Sequence, residues 1–218
     1  MLRNLLAAGF DGPVRVVNPH HGEIDGVPTV KALGALLEVP DVVVITTPAP
    51  SVPEIVTEAG QKGSAAAIII TAGLGHGPGS LAESVRRAAR LHGLRLIGPN
   101  CLGVITPFAK LNASFAAHMP EPGDLALISQ SGAIAAGLVE WATQRRIGFS
   151  AVVSIGDQID VDFGDLLDFF ATDRRTRAIL LYIESVNHAR KFMSAARAAA
   201  RVKRNSPNRR RRNPPGDR

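Results

Sequence analysis

The chain has 218 residues, of which 45% are hydrophobic and 20% charged, and its formal net charge of +6 suggests a nucleic-acid-binding protein. Residues 203–218, however, hold seven of the 25 basic and one of the 19 acidic residues, so residues 1–202 are neutral and the charge does not favour a nucleic-acid partner. The single cysteine excludes an intramolecular disulfide, and the longest apolar run, residues 65–72, is too short to span a membrane, so we expect a cytoplasmic protein without a membrane partner.

Apolar strands and helices alternate through the first half of the chain. Strands are predicted over residues 14–18, 42–46, 67–71 and 94–97, and helices over 2–8, 29–38, 52–62 and 79–92. Fully apolar strands are typical of a parallel sheet covered on both faces, so this pattern predicts a doubly wound α/β domain. No strand precedes the first helix, and we therefore expect the natural domain to begin about 20 residues further upstream.

A second α/β series follows residues 98–123, which contain four prolines and little periodicity and are predicted to connect two domains. Strands are predicted over 125–129, 150–155 and 178–183, and helices over 132–145, 163–172 and 188–202. Three strands are few for an independent sheet, so we expect this second domain to be partial. The basic tail has no apolar periodicity, which predicts disorder.

One segment is a candidate phosphate site. Ser129, Gln130, Ser131, Gly132 and Ala133 end a predicted strand and open a predicted helix. Unpaired backbone N–H groups, the positive end of the helix and two hydroxyls meet there, an arrangement suited to a phosphate. Serine is also a common helix N-cap, so a purely structural role stays open.

Two other loops follow predicted strands. In Pro48, Ala49 and Pro50, two prolines give a rigid surface that can hold a flat ring, although an ordinary loop has the same composition. Asn100 and Cys101 lie in a loop rich in glycine and proline, which can either line a ligand crevice or join two domains.

Carboxylates are dense near the end of the chain. The spacing of five of them matches neither a calcium loop nor a two-metal site, so helix-capping and solvent-facing roles are favoured and no metal site is predicted. These five are Asp157, Asp160, Asp162, Asp165 and Asp168. Glu184 follows a further strand, where it can orient a histidine or serve as an ordinary surface carboxylate.

Taken in order, these segments resemble the α-subunit-like part of the NDP-forming acyl-CoA synthetases, the superfamily of succinyl-CoA synthetase and ADP-forming acetyl-CoA synthetase. The resemblance is carried by TTPAPSVPEIV, AAIIITAGLG, RLIGPNCLGVITP, ALISQSGAIAAGLVEWA, SIGDQIDVDFGDLLDFFATD and AILLYIES, and spans about residues 2–203. LNASFAAHMP and ARKFMSAARAAARVK further resemble long bacterial members, some of which carry a GNAT-type acetyltransferase domain.

The resemblance implies a Rossmann-like CoA-binding domain without its first strand over residues 1–122, a partial flavodoxin-like succinyl-CoA-ligase domain over 123–203 and a disordered basic tail over 204–218. It implies a reversible reaction in which acyl-CoA, phosphate and ADP give an acid, CoA and ATP through an acyl phosphate and a phosphohistidine. The implied ligands are CoA and a small carboxylic acid. ATP or ADP and Mg²⁺ would bind a separate ATP-grasp domain or subunit, and the intact protein is expected to be an oligomer.

The resemblance also assigns roles to particular residues. The loop 48–50 would contact CoA, and Asn100 and Cys101 would lie near the thiol end of CoA. Residues 129–133 match the helix N-terminus that receives the phosphohistidine or free phosphate, and Glu184 matches the carboxylate that steadies the active histidine.

The sequence departs from the family in two respects. It lacks the glycine loop that follows the first strand, and neither histidine pattern of the family, Ser-His-Thr-Gly or Gly-His-Ala-Gly, occurs in it. We therefore expect this chain alone to be inactive, and we favour a frameshift over a genuine basic tail. A non-enzymatic CoA-binding module is the main alternative, and nucleic-acid binding by residues 209–212 is a weaker one. The absence of G-x-G-x-x-G argues against a dehydrogenase.

Overall fold

The computed structural model describes residues 1–204, which form six α-helices and eleven strands. The helices are α1 (Leu2–Ala8), α2 (Val52–Lys62), α3 (Leu81–His92), α4 (Gly132–Gln144), α5 (Phe163–Thr172) and α6 (Ala189–Arg204). The strands are β1 (Val16–Val17), β2 (Glu23–Ile24), β3 (Val27–Val30), β4 (Val42–Ile45), β5 (Ala66–Ile69), β6 (Arg95–Ile97), β7 (Gly103–Thr106), β8 (Leu111–Ser114), β9 (Pro122–Ser129), β10 (Phe149–Ser154) and β11 (Ala178–Tyr182). Residues 205–218 lie outside the described residues, and so does the prediction that they are disordered. None of the helices among residues 1–204 is long and apolar enough to cross a bilayer.

The first half contains two small sheets. Strands β4, β5 and β6 are parallel neighbours in that order, and α2 and α3 cover one face of this sheet through Val56 and Val85. A second sheet has the order β1-β3-β2, with β1 and β3 parallel. The expectation of an absent first strand stays a prediction.

The helix predicted over residues 29–38 is wrong. Residues 27–30 instead form β3, because the β-branched residues there pair with β1, and only a short 3-10 turn follows at Leu33–Ala35. Leu33 and Leu36 are buried against α2, and the Gly34 N–H donates a hydrogen bond to Glu58 Oε1 at 2.6 Å. These contacts with α2 hold a turn in place of a helix.

The second half is built on one five-stranded sheet with the order β11-β9-β10-β7-β8. Strands β11, β9 and β10 are parallel, whereas β7 is antiparallel to β10 and forms a hairpin with β8. Residues 98–123, predicted to be a connector, include this hairpin, so the prediction is wrong for the hairpin residues. The expectation of only three strands in the second series is also wrong, because this sheet has five. The division into domains after residue 122 stays a prediction.

Helices cover both faces of this sheet. On one face, α4 packs Ala135, Val139 and Ala142 against the strands, and α5 and α6 pack on the other face. The larger apolar side chains of α4, Ile134 and Trp141, are 40% and 48% exposed. The small residues of α4 therefore form its buried face, because they allow the helix to approach the sheet closely.

Candidate functional site

Two loops meet between the main sheets, one following β6 and the other following β10. The Asp157 N–H donates a hydrogen bond to the Pro99 carbonyl at 2.9 Å. The Ile159 N–H donates to the Gly98 carbonyl at 3.2 Å. Gly156, with φ of +51°, makes this approach possible because a side chain there would overlap the backbone of the other loop. The carboxyl ends of β6 and β10 are therefore fixed next to each other.

Hydrogen bonds also connect the loops that follow β4, β5 and β6. The Thr71 hydroxyl donates to the Thr47 carbonyl at 2.6 Å. The Asn100 N–H donates to the Thr71 carbonyl at 3.0 Å. The Asn100 side chain is exposed and donates to Asp157 Oδ1 at 3.2 Å. The two predicted CoA-binding loops are thus brought to one edge of the sheet.

The loop 48–50 is held rigidly at that edge. Pro48 and Pro50 are exposed, and Ala49 begins a 3-10 turn that leads into α2. The Ser51 hydroxyl donates to Thr47 Oγ1 at 2.9 Å. A preformed loop of this kind would lose little conformational entropy on binding a ligand.

Cys101 faces the interior. It is 6% exposed, and its Sγ donates to the Ile69 carbonyl at 3.3 Å. Burial raises the pKa of the Cys101 thiol to about 12, so the thiol stays protonated at neutral pH. Cys101 is therefore not a nucleophile in this structure, and only its backbone can contribute to a ligand site.

Alkylation should reveal this burial. We expect iodoacetamide to modify Cys101 at least about 100-fold more slowly in the folded protein than in concentrated urea, because the reagent needs an exposed thiolate. The measurement is mass-spectrometric labelling over time, with Cys101→Ala as the blank, since Cys101 is the sole cysteine. Rapid labelling of the folded chain near pH 8 would show that the thiol is accessible.

The candidate phosphate segment opens α4. Ser131 is the N-cap, and its hydroxyl accepts a hydrogen bond from the Ile134 N–H at 3.3 Å. Ser129 is fully buried, and its hydroxyl donates to the Ser131 carbonyl at 2.7 Å. Both serine hydroxyls therefore have structural tasks. First-turn N–H groups have no partner within a helix, so those of Gly132 and Ala133 are oriented to receive an anion.

Gln130 joins this segment to the loop that follows β11. Its Oε1 accepts hydrogen bonds from the N–H groups of Glu184 and Ser185, at 2.7 and 2.8 Å. Its Nε2 donates to the Ser185 hydroxyl at 3.1 Å. The Glu184 carboxylate is exposed at the same edge as the start of α4. The structure thus brings Glu184 and the phosphate segment together, and Gln130 is the bridge, a role that the sequence alone did not indicate.

The aspartates after β10 mainly hold the structure together. Asp162 caps α5 in a reciprocal capping box with Asp165, which confirms the predicted capping role. Asp160 Oδ2 accepts from Arg95 Nε at 2.9 Å and from the Leu96 N–H at 2.8 Å. Among residues 1–204, no three His, Cys, Asp or Glu side chains are grouped to hold a metal.

Asp162 also accepts hydrogen bonds from α6 and the loop before it. Lys191 Nζ lies 2.9 Å from Asp162 Oδ1, and His188 Nδ1 lies 3.1 Å from Oδ2. Burial raises the pKa of the Asp162 carboxyl, but the bonds from Lys191, the Asp165 N–H and His188 outweigh burial and leave the pKa below its ordinary value. The spacing Asp162-x-x-Asp165 could have indicated the cap, but nothing local indicated Lys191 and His188 as further partners of Asp162.

Asp162→Asn should separate the cap from the charge. Asparagine caps a helix as well as aspartate does, so we expect a loss of only about 1 kcal/mol at pH 7, from the missing charge. Because the folded pKa is depressed, the charge stabilises fully above the unfolded pKa of about 4, and this contribution disappears as the pH falls through the folded pKa. Urea unfolding between about pH 7 and pH 3.5 measures it, with the exposed Asp168→Asn as control. An equal loss at both ends of the range would contradict a charge effect.

The two halves of the chain match two different protein-domain families. Residues 1–107 match a CoA binding domain, and residues 122–204 match the succinyl-CoA ligase like flavodoxin domain. The chain belongs to the NDP-forming acyl-CoA synthetase family. The resemblance and the α/β fold class, with a CoA-binding domain followed by a flavodoxin-like ligase domain, are therefore confirmed.

Relatives in this acyl-CoA synthetase family align along nearly the whole chain. It is 42% identical to the acetate–CoA ligase [ADP-forming] I subunit alpha of Pyrococcus furiosus, over 93% of this chain and 46% of that subunit. It is 35% identical to the 4-hydroxybutyrate–CoA ligase [ADP-forming] of Nitrosopumilus maritimus, over 87% of this chain and 28% of the relative.

A solved structure of the same family has the same fold. This is the dinucleotide forming acetyl-coenzyme A synthetase 1 of Ca. Korarchaeum cryptofilum in complex with phosphate and ADP, with a TM-score of 0.85 and 36% identity. The match covers 92% of this chain and 43% of the other. The chain thus spans less than half the length of these relatives.

Proposed function

We propose that this chain is the CoA-binding and ligase portion of an ADP-forming acid–CoA ligase. The proposal is carried by the meeting of two sheet edges, each formed by the carboxyl ends of parallel strands. The predicted CoA loops after β4 and β6 lie at one edge, and the start of α4 and Glu184 lie at the other edge. The backbone bonds from Asp157 and Ile159 hold these edges together. The thiol of CoA and a phosphate bound there would lie close together, as acyl transfer through an acyl phosphate requires.

The residues divide the work of this reaction. Exposed Pro48 and Pro50, with the Asn100 side chain, would bind CoA. The N–H groups of Gly132 and Ala133 and the positive end of α4 would hold the phosphate. The exposed Glu184 carboxylate would accept a hydrogen bond from a phosphorylatable histidine and orient its ring.

The remaining parts of the reaction are proposed to lie in partners. ADP or ATP and Mg²⁺ would bind an ATP-grasp domain or subunit, and the acid would be a small carboxylic acid such as acetate. The acting protein would be an assembly of these parts. The one cysteine of this chain, Cys101, is a buried free thiol, which supports a reducing compartment such as the cytoplasm.

Two measurements on the purified chain test this function. We expect calorimetry to detect CoA binding, and we expect no acyl-CoA when the chain alone is incubated with ATP, CoA, Mg²⁺ and acetate. Adding a matching ATP-grasp chain, together with a segment that carries the Ser-His-Thr-Gly or Gly-His-Ala-Gly pattern, should start turnover. Turnover by the chain alone would refute the predicted inactivity, and CoA binding without turnover in the reconstituted mixture would favour a non-enzymatic CoA-binding module.

Asn100→Ala tests the CoA loop directly. We expect CoA affinity to fall about tenfold, because one exposed polar contact with the ligand is lost. The control is Gln61→Ala, an exposed amide on α2 outside the candidate site. Equal CoA affinity of the Asn100 variant and the wild type would place the cofactor elsewhere.

A further inference from the structure

Helix α6 has two contrasting faces. Phe192, Ala195 and Ala199 lie against α5, and the Phe192 ring meets the Phe163 ring edge-on with centroids 6.2 Å apart. On the opposite side, Arg190 and two further arginines point away from the domain. The buried face therefore packs within the domain, and the outer face is exposed among residues 1–204, the part of the chain that the structure describes.

Charge is strongly segregated on this helix. Residues 189–204 include six basic residues and no acidic one, although residues 1–202 are neutral as a whole. Lys191 pairs with Asp162 and Asp165, and Lys203 donates to two carbonyl groups. Within residues 1–204, by contrast, no carboxylate pairs with the three outer arginines, which are Arg190, Arg197 and Arg201.

These three arginines form a straight row. Their spacings of seven and four residues correspond to about two turns and one turn, so they lie on one side of the helix, about 10.5 and 6 Å apart along its axis. They line a shallow groove of about 450 Å³ together with Met193, Ser194 and Ala198. Met193 is 46% exposed, so the groove combines positive charge with one exposed apolar side chain.

We propose that the outer face of α6 binds an acidic amphipathic helix of a partner polypeptide. Carboxylates spaced by seven and four residues on such a helix would meet Arg190, Arg197 and Arg201 in register. Apolar side chains between them would cover Met193. Arginine and methionine are both enriched in protein interfaces. The exposed Met193 side chain favours a polypeptide over a nucleic acid, whose backbone would meet only the arginines.

The probe is a 16-residue helix-forming peptide with Glu at positions 2, 9 and 13 and Leu between them, and its analogue with Gln in place of Glu. Fluorescence anisotropy with the full chain should show binding of the acidic peptide and at least tenfold weaker binding of the analogue. Replacing Arg190, Arg197 and Arg201 with Gln should weaken binding of the acidic peptide by at least tenfold, and Met193→Ser by about threefold. Circular dichroism verifies that these surface variants remain folded.

Two control variants remove the same kind of charge elsewhere. One replaces the exposed Arg87, Arg174 and Arg175 with Gln, and the other replaces the four arginines at 209–212. Each should change affinity for the acidic peptide no more than twofold. If either control lost as much affinity for the acidic peptide as the α6 variant, the effect would be due to net charge alone, and the proposal would be overturned. Tighter binding of a 16-nucleotide oligo-dT than of the acidic peptide, lost in the α6 variant, would overturn it in favour of a nucleic acid.

Discussion

Gly156→Ala is expected to lower the free energy of unfolding by about 3 kcal/mol and to disrupt the meeting of the two sheets. Gly156 has φ of +51°, which a residue with a side chain adopts only under strain. A Cβ there would also overlap the Pro99 carbonyl oxygen and lie 2.5 Å from that of Asn100. Both are backbone atoms, so neither can rotate away as a flexible side chain would.

Urea unfolding of the variant and of a matched control measures this effect. Gly137→Ala, in the middle of α4, introduces a Cβ with no atom within 4 Å and should stabilise the protein by up to about 1 kcal/mol. Calorimetry should also show weaker CoA binding by Gly156→Ala, because the displaced loop carries Asn100. Unchanged stability and CoA affinity would mean that the two loops can separate without consequence.

The sequence predicted best where local chemistry determines an element. Helix α2 begins and ends as predicted, since a proline stands in its first turn and Gly63 ends it with φ of +94°. Helix α5 also matches its prediction, because Asp162 and Asp165 form a capping box before the apolar face begins. Signals of this kind lie within a few residues of the boundary that they set.

The hairpin β7–β8 could not be predicted in the same way. Val104 and Ile105 are strand residues because they pair with Val153 and Val152, nearly 50 positions later. Gly103 has φ of +117°, and a side chain there would also overlap the Ala113 backbone across the hairpin, so the position requires glycine on both grounds. In the linear sequence these residues follow a run of glycine and proline, which is equally typical of a connector.

For the candidate site, strand ends could be predicted and side-chain directions could not. The rule that ligands bind at the carboxyl ends of parallel strands identified the loops containing Asn100 and Ser129. Only the structure shows that the Ser129 hydroxyl and the Cys101 thiol point inward, and that Asn100 points outward. Those directions depend on neighbours such as Ile69, which are distant in sequence.

Gln130→Leu is expected to reduce phosphate binding by at least tenfold and stability by about 2 kcal/mol. The substitution keeps the approximate size of the side chain and removes the hydrogen bonds to Glu184 and Ser185. Without them, the loop after β11 is held less firmly beside the start of α4, although Gln158 Nε2 still donates to the Ser185 carbonyl at 3.2 Å. The Gln144→Leu control removes an exposed amide at the other end of α4 and should leave both quantities unchanged within about 0.5 kcal/mol.

Gln130→Glu distinguishes positioning from electrostatics at the same residue. Its carboxylate can still accept from the N–H groups of Glu184 and Ser185, so hydrogen exchange at those two amides should stay slow, whereas in Gln130→Leu it should become fast. The added negative charge should nevertheless weaken phosphate binding, measured by calorimetry with inorganic phosphate. If Gln130→Leu binds phosphate as the wild type does while its amides exchange rapidly, the anion site does not depend on this bridge. If both variants lose phosphate and only the leucine variant loses protection, Gln130 acts as a positioning residue for Glu184 and charge at residue 130 acts on the anion directly.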